Sequence, residues 1–116
     1  MSLNYVKCPV ELAVDVLSGK WKVLALWYLQ DQRRRFNELQ RLMPGVSQKM
    51  LTQQLRELEK DGIIGRQIFD ENPPRVEYYL TERGEAVKPI LSSLFTWGLT
   101  VESAEDQNRR LESSPF

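Results

Sequence analysis

The chain has 116 residues, 41% hydrophobic and 28% charged, with sixteen cationic side chains balanced by sixteen acidic ones; that suits one small domain with a modest core and excludes coating of nucleic acid by net charge alone. There is no histidine and one cysteine, Cys8, which excludes a Cys/His zinc site, a Ser–His–Asp or Cys–His nucleophile and a disulfide within one chain. No apolar run approaches the roughly 18 residues of a membrane span, and MSLNYVKCPV has no signal-peptide hydrophobic region, so no membrane partner and a cytoplasmic location are expected.

Residues 1–7 read as a loosely ordered N-terminus. A helix is predicted to begin at Pro9, because proline at the first helical position gives up an N–H that has no partner there. Val10, Ala13, Val14 and Leu17 form its apolar face, and Gly19 ends it. The next segment, KWKVLALWYLQ, is apolar nearly all round and belongs at the middle of a core, with Trp21 and Trp27 assigned to packing. Arg33, Arg34 and Arg35 follow in a turn or short strand. A short helix then runs from Asn37 to Leu42, with Asn37 as its cap and Gln40 completing a capping box. Pro44 and Gly45 break it.

Ser47 can cap the following helix, since its side-chain oxygen accepts from an unpaired N–H in the first turn, and Gly62 closes it. Between them Leu51, Leu55 and Leu58 recur at i, i+4 and i+7 and form one apolar stripe. The opposite side carries Lys49, Gln53, Arg56 and Lys60, with Gln48 and Thr52 on its flank. Cationic and amide side chains backing a narrow core seam suit a DNA major groove, where Arg and Lys donate to guanine and Gln pairs with adenine. An ordinary amphipathic helix with a solvated back has the same pattern, and Glu57, Glu59 and Asp61 read as such a solvated side. The neighbours tip the balance: a short helix, a glycine-containing turn and a longer polar-backed helix make a helix-turn-helix. Across residues 32–66 eight cationic side chains meet four acidic ones, a local excess of +4, where counterion release would favour DNA binding.

After Gly62 the period changes to two. Ile64, Arg66 and Ile68 alternate with Gly65, Gln67 and Phe69, and Val76, Tyr78 and Leu80 alternate with Glu77 and Tyr79. These are two antiparallel strands joined by the proline-rich DENPP, a wing whose tip residues Asn72 and Arg75 can reach a minor groove or phosphates, or simply stand in solvent. Thr81 caps a last helix, Glu82 to about Val101, kinked at Pro89. Its stripe of Val87, Ile90, Leu91, Leu94, Phe95, Trp97 and Val101 is wider than one small domain needs, which suggests the same helix of a second subunit as partner. Residues 102–116 read as a frayed tail, leaving 8–101 as the DNA-binding and dimerisation domain. The expected fold is α+β, mostly α: a winged helix-turn-helix with a two-stranded wing and flanking N- and C-terminal dimerisation helices.

From Cys8 to Gly98 the order of motifs resembles the HxlR-type bacterial transcription regulators, relatives of the MarR group. The resemblance rests on CPVE, on LSGKWK opening the second helix, on RFNEL opening the third, on SQKMLTQQLRELEKDGII, on PPRVEYYLTERG in the wing and on FTWG. Each is weak alone; their order and spacing together are specific. The resemblance implies a homodimer, joined mainly through its first and last helices, on a pseudo-palindromic double-stranded operator. Lys49, Gln53 and Arg56 would meet base edges, with Gln48 and Thr52 on nearby bases or phosphates, while Arg35, Asn37, Ser47 and Arg75 would position the DNA backbone. Several such regulators sense quinones, aldehydes or oxidants through a cysteine near the N-terminus, where Cys8 sits. A thiol at a helix N-cap beside Lys7 would feel the positive end of the helix dipole, which favours a reactive thiolate; a half-buried structural cysteine is the alternative. A small-molecule inducer is a further partner compatible with the resemblance. A winged helix used only for protein contact is the competing function, and an enzyme is disfavoured because no carboxylate is marked out by its setting and no cofactor motif is present.

Overall fold

The computed structural model describes residues 7–113, which fall into two compact units divided between Glu85 and Ala86. The loosely ordered N-terminus expected over residues 1–7 lies, except for Lys7, outside the described residues, as does the end of the chain beyond Ser113.

The first unit contains α1 (Pro9–Leu17), α2 (Lys20–Leu29), α3 (Phe36–Leu42), α4 (Gln48–Lys60), β1 (Ile64–Phe69), β2 (Arg75–Leu80) and the short α5 (Glu82–Glu85). Its core is made of Ala25, Leu26 and Leu29 of α2, Leu39 of α3, Leu51, Leu55 and Leu58 of α4 and Ile64 of β1, joined by Met43 and Val46 of the turn and by Ile63, which the periodicity did not mark out. Burying each leucine side chain stabilises the fold by about 1.5–3 kcal/mol, so the seam of α4 and the inner side of α2 hold the helix-turn-helix in place. The turn between α3 and α4 needs Gly45 at φ +93, a left-handed conformation that a Cβ would strain. Every residue of α1, by contrast, is exposed or half-exposed, with Val10 at 67% and Val14 at 58%.

The cap of α3 differs from the prediction. Arg35, not Asn37, occupies the N-cap, and Glu38, not Gln40, closes the box by accepting from the Arg35 N–H at 2.8 Å. The physical reason is acceptor strength: an ionised carboxylate satisfies a helix-start N–H better than a neutral amide and gains from the dipole. Asn37 therefore sits inside the first turn. The run before it forms a minimal third strand, Arg34 exchanging two backbone bonds with Tyr78 at 3.1 and 2.8 Å.

The wing is antiparallel, as expected, and its register places Ile64 opposite Leu80 and Phe69 opposite Arg75. Thr81 ends it as a three-way joint: its hydroxyl accepts from the Gly84 N–H at 3.1 Å and lies 2.6 and 3.0 Å from the Gly62 and Ile63 carbonyls.

A single kinked helix was the expectation for the last segment, but the chain forms two helices. Proline at 89 has no N–H and its ring opposes the carbonyl of residue 85, so α5 stops at Glu85. The second unit is then α6 (Lys88–Ser113), with Pro89 in its first turn, where no N–H is missed. It also runs past the predicted end near Val101, since residues 102–113 contain no glycine or proline and include three glutamates, two arginines and a leucine, all good helix formers. Val87 and Leu91 are buried, whereas Ile90, Leu94, Phe95, Trp97, Leu99 and Val101 are exposed.

Candidate nucleic-acid interface

Two local devices fix the ends of α4. At its start the Ser47 hydroxyl accepts from the Met50 N–H at 3.0 Å. At its end Gly62, at φ +75, lets the Gly62 N–H reach the Glu59 carbonyl and the Ile63 N–H reach the Leu58 carbonyl, both at 3.0 Å. This pair of bonds is a Schellman motif, and Leu58 and Ile63 are its buried apolar partners. A rod pinned at both ends and along its leucine seam presents its other side rigidly.

That side gathers most of the predicted contacts. Gln48, Lys49, Thr52, Gln53 and Arg56 line one shallow depression together with Glu57. Lys49, Gln53 and Arg56 are exposed rather than packed on the protein's own body. Among the described residues the side chains of Gln48, Lys49 and Arg56 make no hydrogen bond or ion pair, so their donors are available. Thr52 is committed differently, its hydroxyl donating back to the Gln48 carbonyl at 2.8 Å.

A second patch joins the start of α3 to the wing. Arg35 and Asn37 share a depression with Asn72, Pro73, Pro74 and Arg75, and Arg33, Arg35 and Arg41 border a neighbouring one. Within it Arg75 is tied down. Its guanidinium lies 4.1 Å from the Phe69 ring centroid and within 3.1 and 3.4 Å of the Glu71 and Glu77 carboxylates. Reaching a phosphate would require it to leave both. Arg33 is also held, donating to Gln67 at 2.6 Å and stacking on Tyr79 at 4.4 Å.

The acidic side of α4 is less solvated than the sequence suggests. Lys22, the one cation set inside the apolar face of α2, is buried, and its Nζ lies 2.6 Å from Glu57 Oε1. Glu57 Oε2 accepts from Gln53 Nε2 at 3.2 Å. The hydrogen bond from Lys22, aided by that from Gln53, holds the Glu57 carboxyl below its ordinary value, so it is ionised at neutral pH. Glu59 pairs with Arg66 at 3.3 Å, and Asp61 is the C-cap. Sequence reasoning missed the Lys22–Glu57 pair; a lysine past the first residue of an otherwise apolar helix, between Trp21 and Val23, was the signal that it had to be matched. On the wing, burial pushes the Tyr78 phenol above its ordinary value, and it stays neutral.

Cys8 is exposed and occupies the N-cap of α1. Its surroundings differ from the expected ones: Lys7 turns away to Asp15, at 2.5 Å, and Glu11 accepts from the Cys8 N–H at 3.3 Å. Among the described residues no cluster of Cys, Asp and Glu is arranged to hold a metal ion, and no helix is long and apolar enough to cross a membrane.

Comparison with known proteins is consistent with this geometry. Residues 16–106 match the HxlR-like helix-turn-helix family. The chain is 45% identical over 107 residues to YdeP of Bacillus subtilis (strain 168), named an uncharacterised HTH-type transcriptional regulator; the match covers 92% of this chain and 81% of that one. Among solved structures it is similar to the redox regulator HypR. The oxidised form superposes with a TM-score of 0.78 at 47% identity, over 80% of this chain and 96% of that one. The reduced form gives 0.80 at 43% identity, over 86% and 99%.

Proposed function

The chain belongs to the HxlR-like helix-turn-helix family, and on that premise we propose that it is a sequence-specific DNA-binding transcription regulator working as a homodimer. The observation that carries this reading is the outward side of α4, where Lys49 and Arg56 stand exposed, without a hydrogen bond or ion pair among the described residues, on a helix anchored by three buried leucines. Two copies of α4 related by a twofold axis would enter successive major grooves about 34 Å apart. Lys49, Gln53 and Arg56 would meet base edges, Gln48 and Thr52 the flanking bases or phosphates. Ser47, Arg35, Asn37 and Arg75 would set the backbone register, with Asn72 at the wing tip. The homodimer reading is supported by the exposed apolar side chains of α1 and by those of α6.

The test begins by selecting an operator from random duplex DNA and measuring binding by fluorescence anisotropy at two salt concentrations. Arg56→Ala is expected to lose about 1–3 kcal/mol of discrimination between the operator and unrelated DNA, the value of one bidentate contact to guanine. Lys49→Ala should lower affinity and flatten the salt dependence. Absence of any DNA binding at low salt would replace this reading with a winged helix used for protein contact.

Cys8 extends the proposal to sensing. The support is an exposed thiol on a helix whose apolar face is open, and the likeness to a regulator described in oxidised and reduced forms. An electrophile would add to one thiolate. An oxidant accepting two electrons would join the Cys8 thiols of two chains with loss of two protons. Alkylation faster than that of free cysteine at neutral pH, and operator release that Cys8→Ser abolishes, are the expected results. A rate equal to free cysteine removes the sensing role and leaves DNA binding untouched.

A further inference from the structure

We propose that Glu57 is a positioning residue for base readout: paired with the buried Lys22, it holds the Gln53 amide in one orientation and thereby favours adenine over guanine at the base pair that Gln53 meets. This inference rests on the placement of α4 in a major groove. An acid beside the DNA-facing side of a helix would repel phosphates, and three features give this one a task instead.

Its charge is balanced from within the protein, by an ammonium from α2 whose side chain is only 5% exposed and whose Nζ lies 2.6 Å from Oε1. Its second oxygen faces outward along α4 and accepts from Gln53 Nε2 at 3.2 Å. Finally, an ionised carboxylate can only accept, so the Gln53 amide must turn its nitrogen toward Glu57. That leaves Gln53 with its carbonyl oxygen and one N–H for a ligand.

Adenine presents one donor and one acceptor in the major groove, N6–H and N7, which that remaining pair complements. Guanine presents two acceptors, O6 and N7, and would need both N–H groups of the same amide, one of which Glu57 already holds. A freely rotating glutamine distinguishes the two bases less well. The preference therefore arises at the Lys22–Glu57–Gln53 relay and not at Gln53 alone.

The experiment uses the full chain and the selected operator, together with operators carrying single A·T to G·C exchanges at each position. The quantity read is the affinity ratio between parent and exchanged operator, which does not change if a variant is partly unfolded. The wild-type protein is expected to show a ratio on the order of tenfold at the base pair whose preference Gln53→Ala removes. Glu57→Gln should bring that ratio near one there and leave other positions alone. Glu57→Asp should retain part of it, and Gln53→Ala with Glu57→Gln should match Gln53→Ala. Because Glu57→Gln leaves Lys22 buried without its counter-ion, Lys22→Met with Glu57→Gln provides a second variant expected to behave the same way.

Unchanged ratios in both Glu57 variants, or losses at positions that Gln53→Ala does not affect, overturn the assignment. If the wild-type protein discriminates but Gln53→Ala alters no position, this inference fails while the regulator reading stands. If the wild-type protein has no DNA preference at all, the regulator reading itself has failed.

Discussion

Replacing Trp97 with glutamate is expected to weaken operator binding by about 10²–10⁴-fold, the difference between engaging two half-sites together and one alone. Trp97 is 67% exposed on α6, and Ile90, Leu94, Phe95, Leu99 and Val101 are each at least 37% exposed on the same helix. Soluble monomers rarely leave so much apolar surface open. Removing it from water yields about 25 cal/mol per Å², and an indole is among the largest contributions one side chain can make. A carboxylate in its place would have to be desolvated without a partner, which reverses the sign of its contribution. Light scattering coupled to gel filtration should show a dimer for the wild-type chain and a monomer for Trp97→Glu. In anisotropy the variant should bind a full operator no better than a half-site. A Trp97→Glu protein that stays dimeric and keeps full operator affinity would show that another surface joins the subunits.

The second large effect is on stability. Gly84 is buried in α5, and a Cβ built there would lie 2.0 Å from the Ile63 carbonyl oxygen and 3.3 Å from Leu80 Cδ2. The carbonyl cannot simply withdraw, because it also accepts from the Thr81 N–H at 3.1 Å and lies 3.0 Å from the Thr81 hydroxyl. Gly84→Ala must therefore open the joint between the end of α4, the wing and α5. We expect a loss of about 3 kcal/mol, the upper end of overpacking costs. That is a large share of a domain's roughly 5–15 kcal/mol, and corresponds to a drop in Tm on the order of 15 °C. Thermal melting followed by circular dichroism measures it. If Gly84→Ala melts with the wild-type protein, the backbone approach is looser than the contact distances imply.

Periodicity carried much of the architecture. The i, i+4, i+7 leucines of α4, the alternation in the wing and the glycine after the recognition helix each have a local cause, and each element forms where that cause predicts. The cap of α3 escaped the same reasoning because two i, i+3 pairs overlap there, Arg35 with Glu38 and Asn37 with Gln40; asparagine is the more usual cap residue, but the stronger acceptor is the Glu38 carboxylate. The break at Pro89 was visible as a proline, but whether a helix kinks or splits depends on what holds the segment before it, here the Thr81–Gly84 joint.

Residue chemistry in sequence order was enough to establish which helix carries cations and amides opposite its leucines and that two strands follow it, because these depend on neighbours along the backbone, and composition alone excluded a zinc site built from cysteine and histidine within one chain. Only the tertiary structure decided that Lys22 meets Glu57 across thirty-five positions and thereby orients Gln53, that Arg75 is already held by two carboxylates, and that Lys7 leaves Cys8 for Asp15. Pairing across thirty-five positions has no period in the sequence and depends on distances that arise only once α2 and α4 have packed. The Arg75 and Lys7 pairs, two to eight positions apart, depend instead on how the wing turns and how α1 starts.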